Sequence, residues 1–110
     1  MPRGDLLGSL EYVVLLALVR LEPDAYGMTV RREIESRTGR NLSIGAVYST
    51  LERLEAKGFV SSAMGEPTAE RGGRAKRHFH IEAAGVRALK ASADAIRRMS
   101  AGLKSRWESA

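Results

Sequence analysis

Two short helical patterns joined by a tight turn, followed at once by two extended runs around a cation-loaded glycine turn, constrain this 110-residue chain more than any other feature. The first pattern fits residues 26–37, with Met28, Val30 and Ile34 on one face, Arg31, Arg32, Glu33, Glu35 and Arg37 on the other, and Gly39 just past the end. After the turn Gly39-Arg40-Asn41-Leu42, Ser43 is placed to cap a second helix. In that helix Ile44, Val47, Leu51 and Leu54 recur at helical spacing, and Gly58 stops it. Residues 59–64 and 78–81 then have strand-like composition, and Gly72-Gly73 between them can take positive φ at a hairpin tip.

Helix, tight turn, helix and hairpin in that order read as a winged helix-turn-helix: a mainly α fold with one small β-hairpin. Arg71, Arg74, Lys76 and Arg77 load the projecting hairpin with charge suited to phosphates or a narrow minor groove. On the second helix the apolar stripe turns Gly45, Ala46, Ser49, Thr50 and Arg53 away from the core, with Tyr48 at the boundary. Small residues there allow close approach to base edges. Thr50 or Ala46 is suited to a thymine methyl, Arg53 to a guanine or a phosphate, and Ser43 with the free first-turn amides to a phosphate. Double-stranded DNA is the partner these residues imply.

Both ends of the chain carry more apolar surface than so small a domain can cover. Ser9 is placed to cap a helix running to about Leu21, apolar throughout except for Glu11 and Arg20, and Pro23-Asp24 stops it. A helix with no polar face needs cover on two sides, which assigns Tyr12, Val13, Leu16 and Val19 in part to a partner subunit. From about Ala83 to the end, composition predicts a helix of roughly 25 residues. Its heptad stripe combines Val86, Ala93, Ser100 and Trp107 with Leu89, Ile96 and Leu103. A stripe about 38 Å long calls for another chain. The expected division is a DNA-binding domain over 1–82 and a dimerisation helix over 83–110, with Tyr12, Leu16, Val86, Leu89, Ala93, Ile96, Leu103 and Trp107 at a homodimer interface. Trp107, the single tryptophan, is also the residue suited to stack on a flat aromatic effector.

Composition narrows the remaining classes. Eighteen Lys and Arg against thirteen Asp and Glu give a net charge of +5, which favours polyanionic partners. The absence of cysteine removes disulfides and thiolate metal sites and suits a reducing cytoplasm. The apolar run from Tyr12 to Val19 is too short to span a bilayer, and no leader pattern precedes it. His78 and His80 share one strand face, but no third ligand stands in register, so neither a metal nor any other cofactor is expected. Strand packing, or a pH-dependent addition to the charge of the hairpin, is their simpler role. No catalytic constellation can be assembled, which excludes an enzyme. A protein-interaction module and a non-specific nucleic-acid binder are the rival classes, and preference among duplex sequences separates them from a specific regulator.

Three stretches resemble the PadR family of bacterial transcriptional regulators: Leu7-Gly8-Ser9-Leu10-Glu11-Tyr12-Val13-Val14-Leu15-Leu16-Ala17-Leu18, Ala25-Tyr26-Gly27-Met28, and the run from Ser43 to Val60. Gly72-Gly73-Arg74-Ala75-Lys76-Arg77-His78-Phe79-His80-Ile81 is similar to that family's wing, and Ala84-Gly85 to the start of its dimerisation helix. The resemblance implies a dimeric repressor of the short form, with a single C-terminal helix. Ala75 stands where the family often has proline, and Glu82 where a threonine cap is common.

Overall fold

The computed structural model describes residues 6–65 and 75–103. Four helices and one hairpin follow each other along the chain: α1 (Ser9–Leu21), α2 (Gly27–Thr38), α3 (Ile44–Ala56), β1 (Val60–Met64), β2 (Arg77–Ile81) and α4 (Ala83–Ser100). The strands pair antiparallel, from Val60 opposite Ile81 to Met64 opposite Arg77. This is the expected mainly helical architecture with a two-stranded hairpin.

The capping chemistry sets most boundaries. Ser43 accepts the Ala46 N–H at 3.0 Å and opens α3 as the sequence suggests. Gly39, at φ 72°, closes α2 with its N–H on the Glu35 carbonyl at 2.9 Å. The start of α1 differs from expectation: Gly8 occupies the capping position, Ser9 is already helical, and the Glu11 carboxylate accepts the Gly8 N–H at 3.3 Å. The longer side chain, reaching back one turn, does the work assigned to the serine.

One core serves all the elements. Val14, Leu15 and Leu18 of α1 meet Val30 and Ile34 of α2 and Val47, Leu51 and Leu54 of α3, and Val60, Phe79 and Ile81 close it from the hairpin. A third short partner joins the sheet: Tyr26 bridges His78, and the Phe79 N–H donates to the Ala25 carbonyl at 2.8 Å. The connection from α1 to α2 is thereby stitched to the hairpin.

The last helix is shorter than predicted. It ends at Ser100; Ala101 leaves helical geometry at ψ 134°, and Gly102 takes φ 81°. Ala101 and Gly102 form a turn closed by the Leu103 N–H on the Ser100 carbonyl at 3.3 Å, and the glycine supplies its positive φ. Leu103 therefore lies past the helix end, and Trp107 lies outside the described residues. Leu89, assigned to the dimer stripe, is drawn instead into the core of its own protomer, and Gly85 and Ser92 are buried with it. The Ser92 hydroxyl accepts the Leu7 N–H at 3.0 Å, tying α4 to the segment before α1. Only the second half of α4 stands clear, with Ile96 and Met99 exposed, and Leu16 and Val19 of α1 are exposed as well.

Candidate nucleic-acid interface

Helix α3 lies on the core through Val47, Thr50, Leu51 and Leu54, and presents Ser43, Gly45, Ser49, Glu52, Arg53 and Lys57 outward. Thr50 is a correction. It is 1% exposed, its hydroxyl donates to the Ala46 carbonyl at 2.8 Å, and it offers nothing to a DNA base. Ala46 is half-buried beside it. Tyr48 is partly exposed and lies ring-first across the start of α2, where a Cβ on Gly27 would stand 2.4 Å from the ring. The Tyr26-Gly27 pair thus has two tasks: Tyr26 joins the hairpin, and Gly27 leaves room for the α3 tyrosine.

Gly45 has the opposite character. A side chain there would meet nothing nearer than the Ser43 hydroxyl at 4.0 Å. Glycine in a helix costs up to about 1 kcal/mol relative to alanine, and no internal packing requires it at this position. What it does supply is a low outer surface between Ser43 and Ser49.

The turn before α3 is pinned by Arg31, whose Nε–H donates to the Leu42 carbonyl at 2.7 Å. Sequence reasoning placed Arg31 on the solvent face and missed this bond, since a contact eleven residues away leaves no periodic signal.

The hairpin cations fall into two groups. Lys76 places its ammonium 4.5 Å above the Tyr26 ring and 3.2 Å from the Tyr26 hydroxyl, on the exposed side of the hairpin. Arg77 is engaged within the protomer: it donates to Glu55 of α3 at 2.9 Å and to the Ser62 hydroxyl at 2.9 Å, while Ser62 donates to the same Glu55 at 2.8 Å. This triad fastens the hairpin to α3. Arg71 and Arg74 lie outside the described residues. His78 meets the Tyr26 ring edge-on at 5.3 Å, and His80 pairs with Glu22. No group of three metal-binding side chains occurs among the described residues.

Glu11 is the one buried charged residue among the described residues. Burial pushes its carboxyl upward, but the Lys57 ammonium at 2.8 Å, the Gly8 N–H and Arg53 together outweigh it and hold the group below the usual carboxylate range. A depressed folded-state value means that its stabilisation is complete above the unfolded value, near pH 4.5, and is lost as pH falls through the folded one. The urea midpoint of the protein is expected to drop as pH is lowered below about 4.5, and in Glu11→Gln that part of the drop is expected to vanish.

The sequence model of the PadR-like transcriptional regulator family matches residues 15–91, from the middle of α1 to the middle of α4. The chain belongs to that family. Solved structures agree in fold. A PadR family transcription regulator from Clostridium difficile has 17% identity and a TM-score of 0.75, with 91% of this chain and 99% of that one covered. A PadR-like regulator from Bacillus cereus has 18% identity and a TM-score of 0.70, with 89% and 90% covered. A transcriptional regulator from Clostridium thermocellum has 18% identity and a TM-score of 0.71, with 91% and 97% covered. No curated protein matches the sequence. As a PadR-like regulator the chain is a DNA-binding transcription factor and not an enzyme. No helix among the described residues is long and apolar enough to cross a membrane.

Proposed function

We propose that this PadR-like chain is a dimeric, sequence-specific repressor of the cytoplasm that holds a palindromic operator in two copies of α3. The carrying observation is the outer face of that helix: Ser43, Gly45, Ala46 and Ser49 form a low surface whose glycine nothing inside the protomer requires. Such a surface suits close approach to base edges in the major groove, while Tyr48 and Arg53 at its margin reach the backbone or a base. Lys76 and the other cations of the hairpin supply flanking phosphate or minor-groove contacts.

Dimerisation is supported by apolar side chains that the protomer leaves in water. Leu16 and Val19 on α1, Ile96 and Met99 on α4, and Leu103 beyond it are all at least 41% exposed. Tyr12, Val86 and Ala93 border them, half-buried. Two-fold symmetry places the half-sites about 34 Å apart or at a multiple of that. A small aromatic effector stacking on Trp107 belongs to the same reading, and binding of planar aromatic compounds would register as a change in the fluorescence of that single tryptophan.

Selection of the purified protein against randomised duplex DNA tests the proposal. An enriched palindrome is the expected result. Retention without enrichment would mean non-specific nucleic-acid binding, and no retention at permissive salt would mean a protein-interaction module.

A further inference from the structure

Three groups converge on the Glu11 carboxylate at the start of α1, and two come from the recognition helix: Lys57 Nζ at 2.8 Å and Arg53 Nε at 3.7 Å, with the Gly8 N–H at 3.3 Å as the third. Arg53 is restrained a second time, since its Nη2 donates to the Thr50 hydroxyl at 3.4 Å. The carboxylate is buried, whereas the Arg53 and Lys57 side chains keep 54% and 47% of their surface in solvent. Two cations sharing one anion leave one positive charge in surplus, displayed next to the outward face of α3. Desolvating a carboxylate in an otherwise apolar helix is costly even with partners, and an uncharged residue would fill the same volume without that cost.

We infer that Glu11 is a positioning residue for DNA binding: it draws Arg53 and Lys57 back against α1 as a fixed pair that meets a phosphate and withholds Arg53 from the base edges. The inference rests on the DNA-binding reading above and adds two things to it. Arg53 becomes a contact that carries affinity without sequence information. Glu11 acquires a role in affinity, because an anion that cancels half the local charge weakens binding to every sequence equally and leaves the ratio between operator and random duplex where the base contacts set it.

Both duplex types are needed to test this: the operator obtained by selection and a random duplex of equal length, each titrated from low to moderate salt. Glu11→Gln keeps the shape and removes the charge. It is expected to tighten binding to the operator and to the random duplex alike by about tenfold, and to steepen the salt slope by about two for the dimer. In an Arg53→Ala/Lys57→Ala background the same substitution is expected to change none of these. A salt slope unaltered in Glu11→Gln, or an effect that survives loss of both cations, would overturn the inference. Should Glu11→Gln not fold, Arg53→Ala alone decides. Equal weakening on both duplexes with unchanged base preference at every operator position supports the assignment, and altered preference at any position refutes it. If the wild-type chain binds no duplex at all, it is the DNA-binding reading that fails.

Discussion

Replacing Gly85 by alanine is expected to destabilise the protein by about 3 kcal/mol, although alanine is the better helix former by about 1 kcal/mol. A Cβ at this position in α4 would stand 2.2 Å from the Phe59 carbonyl oxygen and 2.9 Å from Cγ1 of Ile81. The first obstacle is backbone and cannot rotate away. That carbonyl also accepts the Glu82 N–H at 2.9 Å, so pushing the helix off strains the bond that starts it. The urea midpoint and the melting temperature should both fall, the latter by roughly 10 °C or more. Gly39 provides the contrast. Nothing lies within 4 Å of a Cβ there, and only its φ of 72° resists substitution. Gly39→Ala is expected to cost about 1 kcal/mol, a third of the effect at Gly85. Equal losses at the two sites would show that the α4 contact with Phe59 yields more readily than its geometry indicates.

The second large effect is on DNA affinity. If each subunit of the proposed dimer neutralises about four phosphates, the logarithm of affinity falls with the logarithm of salt at a slope near −7, so raising salt from about 50 to 200 mM weakens binding roughly 10⁴-fold. Lys76→Ala should lower the magnitude of that slope by about two for the dimer while leaving sequence preference unchanged. Arg77→Ala should behave differently, because this guanidinium is already engaged by Glu55 and Ser62. Its loss should loosen the hairpin and weaken binding with a smaller change in slope. Filter binding or fluorescence anisotropy across a salt series measures both. A slope unchanged by Lys76→Ala would remove the hairpin from the interface.

Much of this was legible in the sequence wherever a local pattern carries the information. The caps at Ser43 and Gly39 and the apolar spacing in α2 and α3 are short-range features, and the helices follow them closely. Thr50 shows where such reading fails. A helix face wide enough to bury takes in position 50 beside 47, 51 and 54, but a hydroxyl suggested solvent; the bond to the Ala46 carbonyl satisfies it inside. Arg77 reads as free charge in the sequence because its partner is 22 residues away, and Glu11 reads as an exception in an apolar run because Lys57 lies 46 residues away. The bridge from Tyr26 to His78 is a single residue long and has no periodicity to read. In α4 a continuous heptad stripe concealed two different fates. Leu89 faces its own core while Ile96 faces water, and repeat spacing does not say where one environment gives way to the other.

That division makes α4 a rod gripped at one end. The grip runs from the contact of Gly85 with Phe59, just beyond α3, where the Phe59 N–H bonds the Leu54 carbonyl, through Leu89 to the bond between Ser92 and Leu7. From Ser92 to Ser100 the free end extends about 12 Å, so a tilt of about 10° beyond the grip sweeps the tip through about 2 Å. A push of that size on Ile96 or Met99 would have to pass the buried Leu89 and Ser92 before it reached the contact of Gly85 with Phe59 at the end of α3.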